Sequence, residues 1–159
     1  MTDYRIIPAT EAHVGELAET MREADKQEVW ASSHSTPEQA LSRAFAASRD
    51  TTAGLADGRV VCLFGVAQPT ALSNRAVPWL LGSEELPQHA RVFLRKSRVY
   101  VEGLRREYDR LENFVDARNT VAIRWLRWLG FDILEAVPFG PDQMPFHPFS
   151  WVKQNVRTS

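Results

Sequence analysis

Residues 59–67 of the chain read RVVCLFGVA and are nearly all apolar. A strand points its side chains alternately to two faces, so a strand of this composition has to be covered on both of them. The Asp57-Gly58 pair in front of it is typical of a tight β-hairpin, with a partner strand over 51–56. The chain therefore predicts a sheet with other elements packed on both sides.

Helical periodicity marks several stretches around this hairpin. We predict one amphipathic helix over 11–31, because apolar side chains recur there every three or four residues. A second helix is expected to begin with Pro37 in its first turn, and a long one covers about 88–109. A compact helix follows Asn119 and ends at Gly130, which is typical of a residue just past a helix end.

Short apolar runs between turn residues predict the remaining strands. Pro145 and Pro148 lack the N–H that a ladder needs, and they indicate that the last strand lies at a sheet edge. The order of elements predicts an α+β or mixed α/β single domain over residues 1–159, with a central mixed sheet flanked by helices. The additional strands are expected at 4–8, 76–82, 111–115, 132–140 and 145–153.

The charge balance is nearly even, with 19 Lys and Arg residues against 20 Asp and Glu residues. This balance argues against a globally basic nucleic-acid binder. Residues 91–110 nevertheless carry a basic surplus, which is either a solvated helix face or a ligand contact; nucleic-acid contact through this helix is a further alternative. The basic residues are Arg91, Arg95, Lys96, Arg98, Arg105, Arg106 and Arg110, against Glu102, Glu107 and Asp109.

Several kinds of site and location are excluded by residue counts and patterns. Cys62 is the single cysteine, so neither an internal disulfide nor a multi-cysteine metal site is expected. The histidines lack metal-ligand spacing, so we predict no metal. Apolar runs are too short for a membrane span, and the first residues lack the pattern of a signal peptide. We expect a cytoplasmic protein.

The stretch from Asn119 to Phe131 carries a resemblance to a known family. Asn119, Ala122, Gly130 and Phe131 are spaced as in the last helix of the GNAT superfamily, the acetyl-CoA-dependent N-acetyltransferases, where the pattern reads Asn-x-x-Ala-x-x-x-Tyr-x-x-x-Gly-Phe. The element order matches that family along almost the whole chain. The resemblance implies a GNAT-like fold, acetyl-CoA as cofactor and transfer of an acetyl group to an amine.

The chain also resembles the small GNAT-like proteins of tailed phages and prophages. The resemblance rests on the segments 22–31, 63–66, 78–82 and 113–131. Some of those phage proteins sit among virion-assembly proteins. This likeness implies a host-cell location, with association with the virion as a further expectation.

The chain departs from the family pattern where the CoA pyrophosphate is bound. The family places a Gly-rich loop there, whose backbone N–H groups face the phosphates. Here the segment begins at Gly82 and continues with Glu84, Glu85 and Pro87, so carboxylates stand where an anion would bind. The resemblance then implies cofactor contacts from the start of the long helix and from the helix that follows. The predicted cofactor-binding residues are Gln88, Arg91, Arg95 and Asn119.

A second departure concerns acid–base chemistry. The family tyrosine that protonates the departing thiolate corresponds here to Leu126, which has no proton to give. Tyr100 lies on another helix and is interpreted as a core or rim aromatic. Glu84 and Glu85 follow the strand at the predicted substrate edge of the sheet, and they are the candidate general bases.

Two functional hypotheses follow from these residues. The first is an acetyl-CoA-dependent N-acetyltransferase of phage type that acts on a small-molecule or protein amine, and whose activity the missing loop and tyrosine call into question. The second is a catalytically inactive module of the same fold, which binds a phage or host protein in virion assembly or host interaction. The aromatic C-terminal strands and the basic helix would be its contact surfaces.

Overall fold

Helices cover both faces of one sheet in residues 1–154, the part of the chain that the structure, a computed structural model, describes. The strands are β1 (Tyr4–Pro8), β2 (Ser48–Ala56), β3 (Arg59–Ala67), β4 (Arg75–Gly82), β5 (Arg110–Asp116), β6 (Asp132–Ile133), β7 (Val137–Phe139) and β8 (Met144–Val152). The helices are α1 (Glu11–Thr20), α2 (Glu23–Ser33), α3 (Pro37–Ala47), α4 (Leu86–Glu107) and α5 (Thr120–Trp128). The predicted fold class, a mixed sheet flanked by helices, is confirmed.

The sheet has the strand order β1-β2-β3-β4-β5-β8-β6, and β7 also pairs with β8. The Asp57-Gly58 hairpin between β2 and β3 is confirmed, with both turn residues at positive φ. Neighbouring strands are antiparallel except for β4 and β5, which run parallel. The parallel pair sits mid-sheet, and α4 makes the crossover between its strands.

The two faces of the sheet carry separate apolar cores. Helices α1, α2 and α3 bury Leu17, Val29 and Leu41 against one face. Helices α4 and α5 bury Phe93 and Ile123 on the other. The interior of β3 is buried along its length, as its composition predicts. No helix within residues 1–154, including the 22-residue α4, is both long enough and apolar enough to cross a membrane.

The predicted single helix over 11–31 is wrong, because the chain breaks it between α1 and α2. Met21 and Arg22 are extended, and Met21 forms a β-bridge with Ser83. The Arg22 N–H donates to the carbonyl oxygen of Gly82 over 2.9 Å. Tertiary pairing with the end of β4 therefore overrides a helical periodicity that runs through the break. This break positions α2 across the end of β4.

The C-terminal strands also differ from the prediction. The expected strand over 132–140 is two short strands, β6 and β7, and β8 lies between them and β5 rather than at an edge. On the side of β8 that faces β6 and β7, Pro148 lies opposite the break between these two strands. Its missing N–H therefore removes no strand-to-strand hydrogen bond. Its carbonyl oxygen accepts the N–H of Leu134 at 2.8 Å. The edge prediction from the prolines is therefore wrong.

Candidate active site

The parallel strands β4 and β5 separate soon after they begin. Their pairing stops at Ala76 and Leu111, and no later ladder pair joins them within the described residues. The carboxyl halves of the two strands form the sides of a wedge in the sheet. One side chain spans it, because the Asn113 amide donates to the carbonyl oxygen of Pro78 over 2.9 Å.

Alternate residues of β4 turn their backbone polar groups into this wedge. The Pro78 carbonyl faces Asn113, and the Gly82 N–H donates to Asp25 Oδ2 at 2.9 Å. The register with β3 is continuous over this part of β4. Successive residues of a strand present their N–H and C=O groups to opposite sides, so Leu80 also faces the wedge.

A cavity of about 440 Å³ occupies the wedge and extends to both faces of the sheet. This volume is in the range of small-molecule sites. On the α4 and α5 face its walls include Leu94, Ser97, Tyr100, Trp125 and Leu126. On the α2 and α3 face they include Glu28, Ser32, Ser33, Arg43, Trp79 and Phe139.

A buried polar network, made of Arg22, Asp25, Glu28 and Asn119, closes the carboxyl end of the wedge. Arg22 Nη1 donates to Asp25 Oδ1 at 2.8 Å, and Asn119 Nδ2 donates to the same oxygen at 3.2 Å. Asp25 and Asn119 are each 2% exposed. Burial raises the pKa of Asp25, while the positive charge of Arg22 acts against that rise. The network fixes α2 against the ends of β4 and α5.

Glu28 lines the cavity and is the one acid of this network that is not fully buried. Its Oε1 accepts the Asp116 N–H at 2.8 Å and Asn119 Nδ2 at 3.4 Å. Removal of the carboxyl from bulk solvent raises the pKa of Glu28 to about 8, and the negative charges of Asp25 and Asp116 add to the rise. A carboxyl that loses its proton near neutral pH is suited to act as a general base.

The connection from β4 into α4 has no free backbone donors. Every N–H from Ser83 to Gln88 already donates to a protein oxygen, and Pro87 has none to donate. A phosphate cradle made of backbone N–H groups is therefore absent from this part of the described chain. The acceptors are oxygens of Val61, Thr20, Ser83 and Glu85.

The two acids predicted as bases lie outside the cavity. Glu85 accepts from Arg59 Nη2 at 2.9 Å, and this hydrogen bond lowers the pKa of the Glu85 carboxyl. Glu84 is exposed, and neither residue contributes to the cavity wall. The structure therefore does not bring Glu84 and Glu85 together with Glu28, and a catalytic role for them stays a prediction.

A shallow groove, which we call the arginine groove, lies between the first half of α4 and α5. It holds the side chains of Arg91, Arg95 and Arg124, and none of these makes an ion pair with an acid in residues 1–154. Leu94 and Trp125 line both this groove and the cavity, so the two spaces adjoin. The groove is completed by Trp128.

The four predicted cofactor residues therefore separate in space. Arg91 and Arg95 lie together in the arginine groove. Gln88 is exposed in the first turn of α4 and lines neither space. Asn119 caps α5, with Oδ1 accepting the Ala122 N–H at 3.4 Å, and its amide is engaged in the polar network. Contacts of all four with a cofactor stay predictions.

Two hydroxyls on α4 lack hydrogen-bond partners among the described residues. Ser97 is 4% exposed and Tyr100 is half-buried, and both line the cavity. The Tyr100 ring contacts Phe64 edge-on at 5.0 Å between centroids. Burial raises the pKa of Tyr100 to about 12, so the hydroxyl keeps its proton at neutral pH. Both oxygens are inaccessible to solvent, so neither hydroxyl is presented to the cavity that its residue lines.

Sequence reasoning missed the acids of α2. Asp25 and Glu28 are three residues apart on one helical face, together with Val29. The same spacing is found on exposed charged faces of helices. Because this helix has no strong apolar stripe, the sequence does not show which of its sides is buried. A signal was available in the weak amphipathicity of 23–33, which is unusual for a helix that covers a sheet.

Comparison with known proteins identifies the fold. No protein-family model and no curated protein sequence matches the chain. A candidate acetyltransferase from Acinetobacter baylyi ADP1 superposes with a TM-score of 0.72 at 13% identity, over 100% of this chain and 98% of that one. The acetyltransferase of the GNAT family from Streptococcus pneumoniae gives 0.63 at 12%, over 96% and 100%. This chain has the GNAT fold.

A third structure with the GNAT fold was solved with a bound cofactor. It is a candidate acetyltransferase from Salmonella typhimurium with its cofactor acetyl-CoA, and it superposes with a TM-score of 0.65 at 11% identity. The match covers 99% of this chain and 98% of that one. Identities this low establish the fold alone, so the chemistry of this chain has to be argued from its own residues.

Proposed function

We propose that this protein is an acetyl-CoA-dependent N-acetyltransferase. The observation that carries the proposal is a pair of adjoining spaces, the arginine groove with its unpaired arginines and the cavity through the sheet with Glu28 on its wall. An anionic cofactor with a long, thin reactive arm suits the groove and the cavity. An amine suits the part of the cavity beside Glu28, where a base is needed.

The arginine groove is the part of the site that fits the phosphates of CoA. Arg91, Arg95 and Arg124 have no acidic partners among residues 1–154, so their charge is available to a ligand. Arginine binds phosphate through paired N–H groups, which compensates for the missing N–H donors before α4. We therefore place anion recognition on side chains of α4 and α5, in support of the predicted roles of Arg91 and Arg95.

The cavity offers polar groups for the rest of the cofactor. The edge of β4 presents the N–H and C=O of Leu80 to the wedge, which suits the amides of the pantetheine arm. Ser97 and Tyr100 line the α4 face, but their hydroxyl oxygens are buried and add no accessible polar group. The residues present thus fit acetyl-CoA, although they do so without the family's glycine-rich loop.

When bound, acetyl-CoA supplies an acetyl group on a thioester, whose C–S bond breaks as the new C–N bond forms. Glu28 accepts the proton that the attacking amine nitrogen loses, directly or through one water. The sulfur leaves as a thiolate and takes its proton from solvent, because Leu126 stands at the position of the family tyrosine.

The rival hypothesis is a catalytically inactive protein-binding module. It is favoured by the β4–α4 connection, whose N–H groups are all engaged in the protein. Three expectations from the sequence stay predictions. They are the relationship to phage proteins, the association with a virion and the cytoplasmic location.

Calorimetric titration with acetyl-CoA and with CoA separates the two hypotheses. We expect micromolar binding of both, with weaker binding as the salt concentration rises because phosphate contacts are screened. Thiol release in the presence of an amine panel then tests turnover. If no heat is released at millimolar cofactor, the enzyme hypothesis is wrong and the search moves to protein partners.

A further inference from the structure

We propose that the acceptor is an amine with an apolar or aromatic body and an anionic group at its far end. The proposal rests on the proposed acetyl transfer and concerns the α2 and α3 side of the cavity. It is carried by the side-chain charges that line this side and by their separation.

Three of the four charged residues on the cavity wall are hydrogen-bonded within one network, and the fourth lies outside it. Arg22, Asp25 and Glu28 belong to the buried polar network. Arg43 of α3 is the fourth charged residue on the wall, and no acid of the described chain pairs with it. Its Nη2 donates to Ser35 Oγ at 2.9 Å, and its Nη1 contacts Ser33 Oγ at 3.4 Å.

These hydroxyls hold the guanidinium at the cavity rim without neutralising it. Ser33 and Ser35 are themselves joined by a hydrogen bond of 2.7 Å. Ser35 is 3% exposed, so the guanidinium has a fixed point to which it is attached. A positioned and uncompensated guanidinium at the mouth of a cavity is suited to bind a carboxylate, a phosphonate or a sulfonate.

The distance between the two ends sets the form of the ligand. Glu28 and Ser33 are both on α2, five residues apart, which corresponds to about 7.5 Å along the helix axis. An amine at Glu28 therefore leaves its anionic group beside Arg43 only if an extended body separates the two. A carboxylate directly next to the amine would lie beside Glu28, whose ionised form repels it.

The wall between these ends is aromatic. Phe114 and Phe139 are stacked at 4.3 Å between ring centroids, and Phe146 packs against Phe139 at 5.0 Å. Trp79 faces the same space, and its indole N–H is already used by Ser48 Oγ at 2.8 Å. The wall therefore offers apolar surface to the body of the acceptor and few further polar contacts.

The test compares two acceptors of the same length and shape. These are 4-(aminomethyl)benzoate and its neutral amide, 4-(aminomethyl)benzamide, with saturating acetyl-CoA and thiol release as the readout. We expect kcat/KM to be at least about tenfold higher for the carboxylate, since a charge-assisted contact is lost in the amide. Arg43→Gln should abolish this preference through KM, whereas Arg5→Gln, outside the cavity, should leave it unchanged.

Binding is measured separately from turnover by titrating both compounds into the wild-type protein and the Arg43→Gln variant. Binding of the carboxylate that disappears with Arg43→Gln supports the inference. Equal use of both amines, or a preference that survives Arg43→Gln, overturns it while the acetyltransferase stands. If neither amine is acetylated and acetyl-CoA does not bind, the proposed function itself fails, and the inference fails with it.

Discussion

Glu28 on α2 accepts the backbone N–H of Asp116, at the end of β5, with 2.8 Å between Oε1 and N. This bond places an acid from one side of the sheet at the carboxyl end of the wedge. It also fixes the acid beside two other carboxyls, those of Asp25 and Asp116, which disfavour its ionisation. The contact therefore positions the base. The bond itself lowers the pKa of Glu28, but burial and then the charge of Asp25 raise that pKa by more.

The first prediction is that Glu28→Gln removes the rise in acetyl-transfer rate that the Glu28 carboxyl produces near pH 8. A base acts in its unprotonated form, so wild-type kcat/KM should rise with pH through about 8, the pKa of Glu28. The variant should lose about 10²–10⁴-fold in rate and should lack this rise. Acetyl-CoA affinity, measured by calorimetry, should be unchanged. An unaltered pH profile would remove Glu28 from the mechanism.

The second prediction concerns stability and uses the same variant. A carboxyl whose pKa is raised by folding keeps its proton in the native state after the unfolded chain has released it. The native state then binds more protons between about pH 4.5 and 8, so stability falls as pH rises through this window. Urea unfolding of the wild type at pH 5.5 and 8 should show this loss, and Glu28→Gln should show less of it. Equal losses in both proteins would place the cause elsewhere.

Most of the fold follows from the sequence because its signals are local. The Asp57-Gly58 turn, the helix start at Pro37 and the apolar strand 59–67 are signals that act within a few residues, and the structure confirms all three. The break at Met21 has no such signal. Helical spacing continues across it, and the bridge to Ser83 that causes it joins positions far apart in the chain.

The candidate site was harder to predict from the sequence, because its contacts join positions far apart in the chain. Arg91 and Arg95 stand out as part of a basic run, and the structure does place them in one groove. Glu28 depends on Asn119 and Asp116, which lie about ninety residues away. Only the folded chain shows that this glutamate faces a cavity rather than water.

The third prediction tests the arginine groove. Arg91→Ala and Arg95→Ala should each weaken acetyl-CoA binding about five- to tenfold, because each removes a solvent-accessible charge from the phosphates. Lys96→Ala is the matched control, since it removes the same charge from the same turn of α4 outside the groove. Calorimetry at two salt concentrations should show a shallower salt dependence for the groove variants alone. Equal effects of all three variants would indicate that acetyl-CoA responds to the overall positive charge of α4 and not to contacts in the groove.

The fourth prediction concerns the buried polar network. Asp25→Ala removes the acid that is paired with the buried Arg22 guanidinium, which keeps only its hydrogen bond to Asn119 Oδ1. It also leaves the buried Gly82 N–H without its acceptor. Such an uncompensated charge typically costs about 3–5 kcal/mol of unfolding free energy. Asp3→Ala breaks an ion pair to Arg5 whose side chains are both more than half exposed, and it should cost less than about 1 kcal/mol. Similar losses in urea unfolding would show that the network contributes little.

The fifth prediction separates backbone strain from packing at two glycines with positive φ. Gly58→Ala has open space for a methyl group, so it should cost only the strain of its turn, about 1 kcal/mol. A Cβ at Gly140 would overlap the carbonyl oxygen of Ala31, at the end of α2 beside the aromatic wall. Gly140→Ala should therefore cost about 1–3 kcal/mol more, since the β7–β8 turn has to move.

That movement would displace Phe139, which lies directly before Gly140 and forms part of the acceptor side of the cavity. We therefore expect Gly140→Ala to raise KM for the amine while the affinity for acetyl-CoA stays the same, because the arginine groove lies on the opposite face of the sheet. Thermal unfolding and initial rates on the two variants measure both effects. A variant that loses stability but keeps the wild-type KM would show that the position of this turn does not shape the acceptor site.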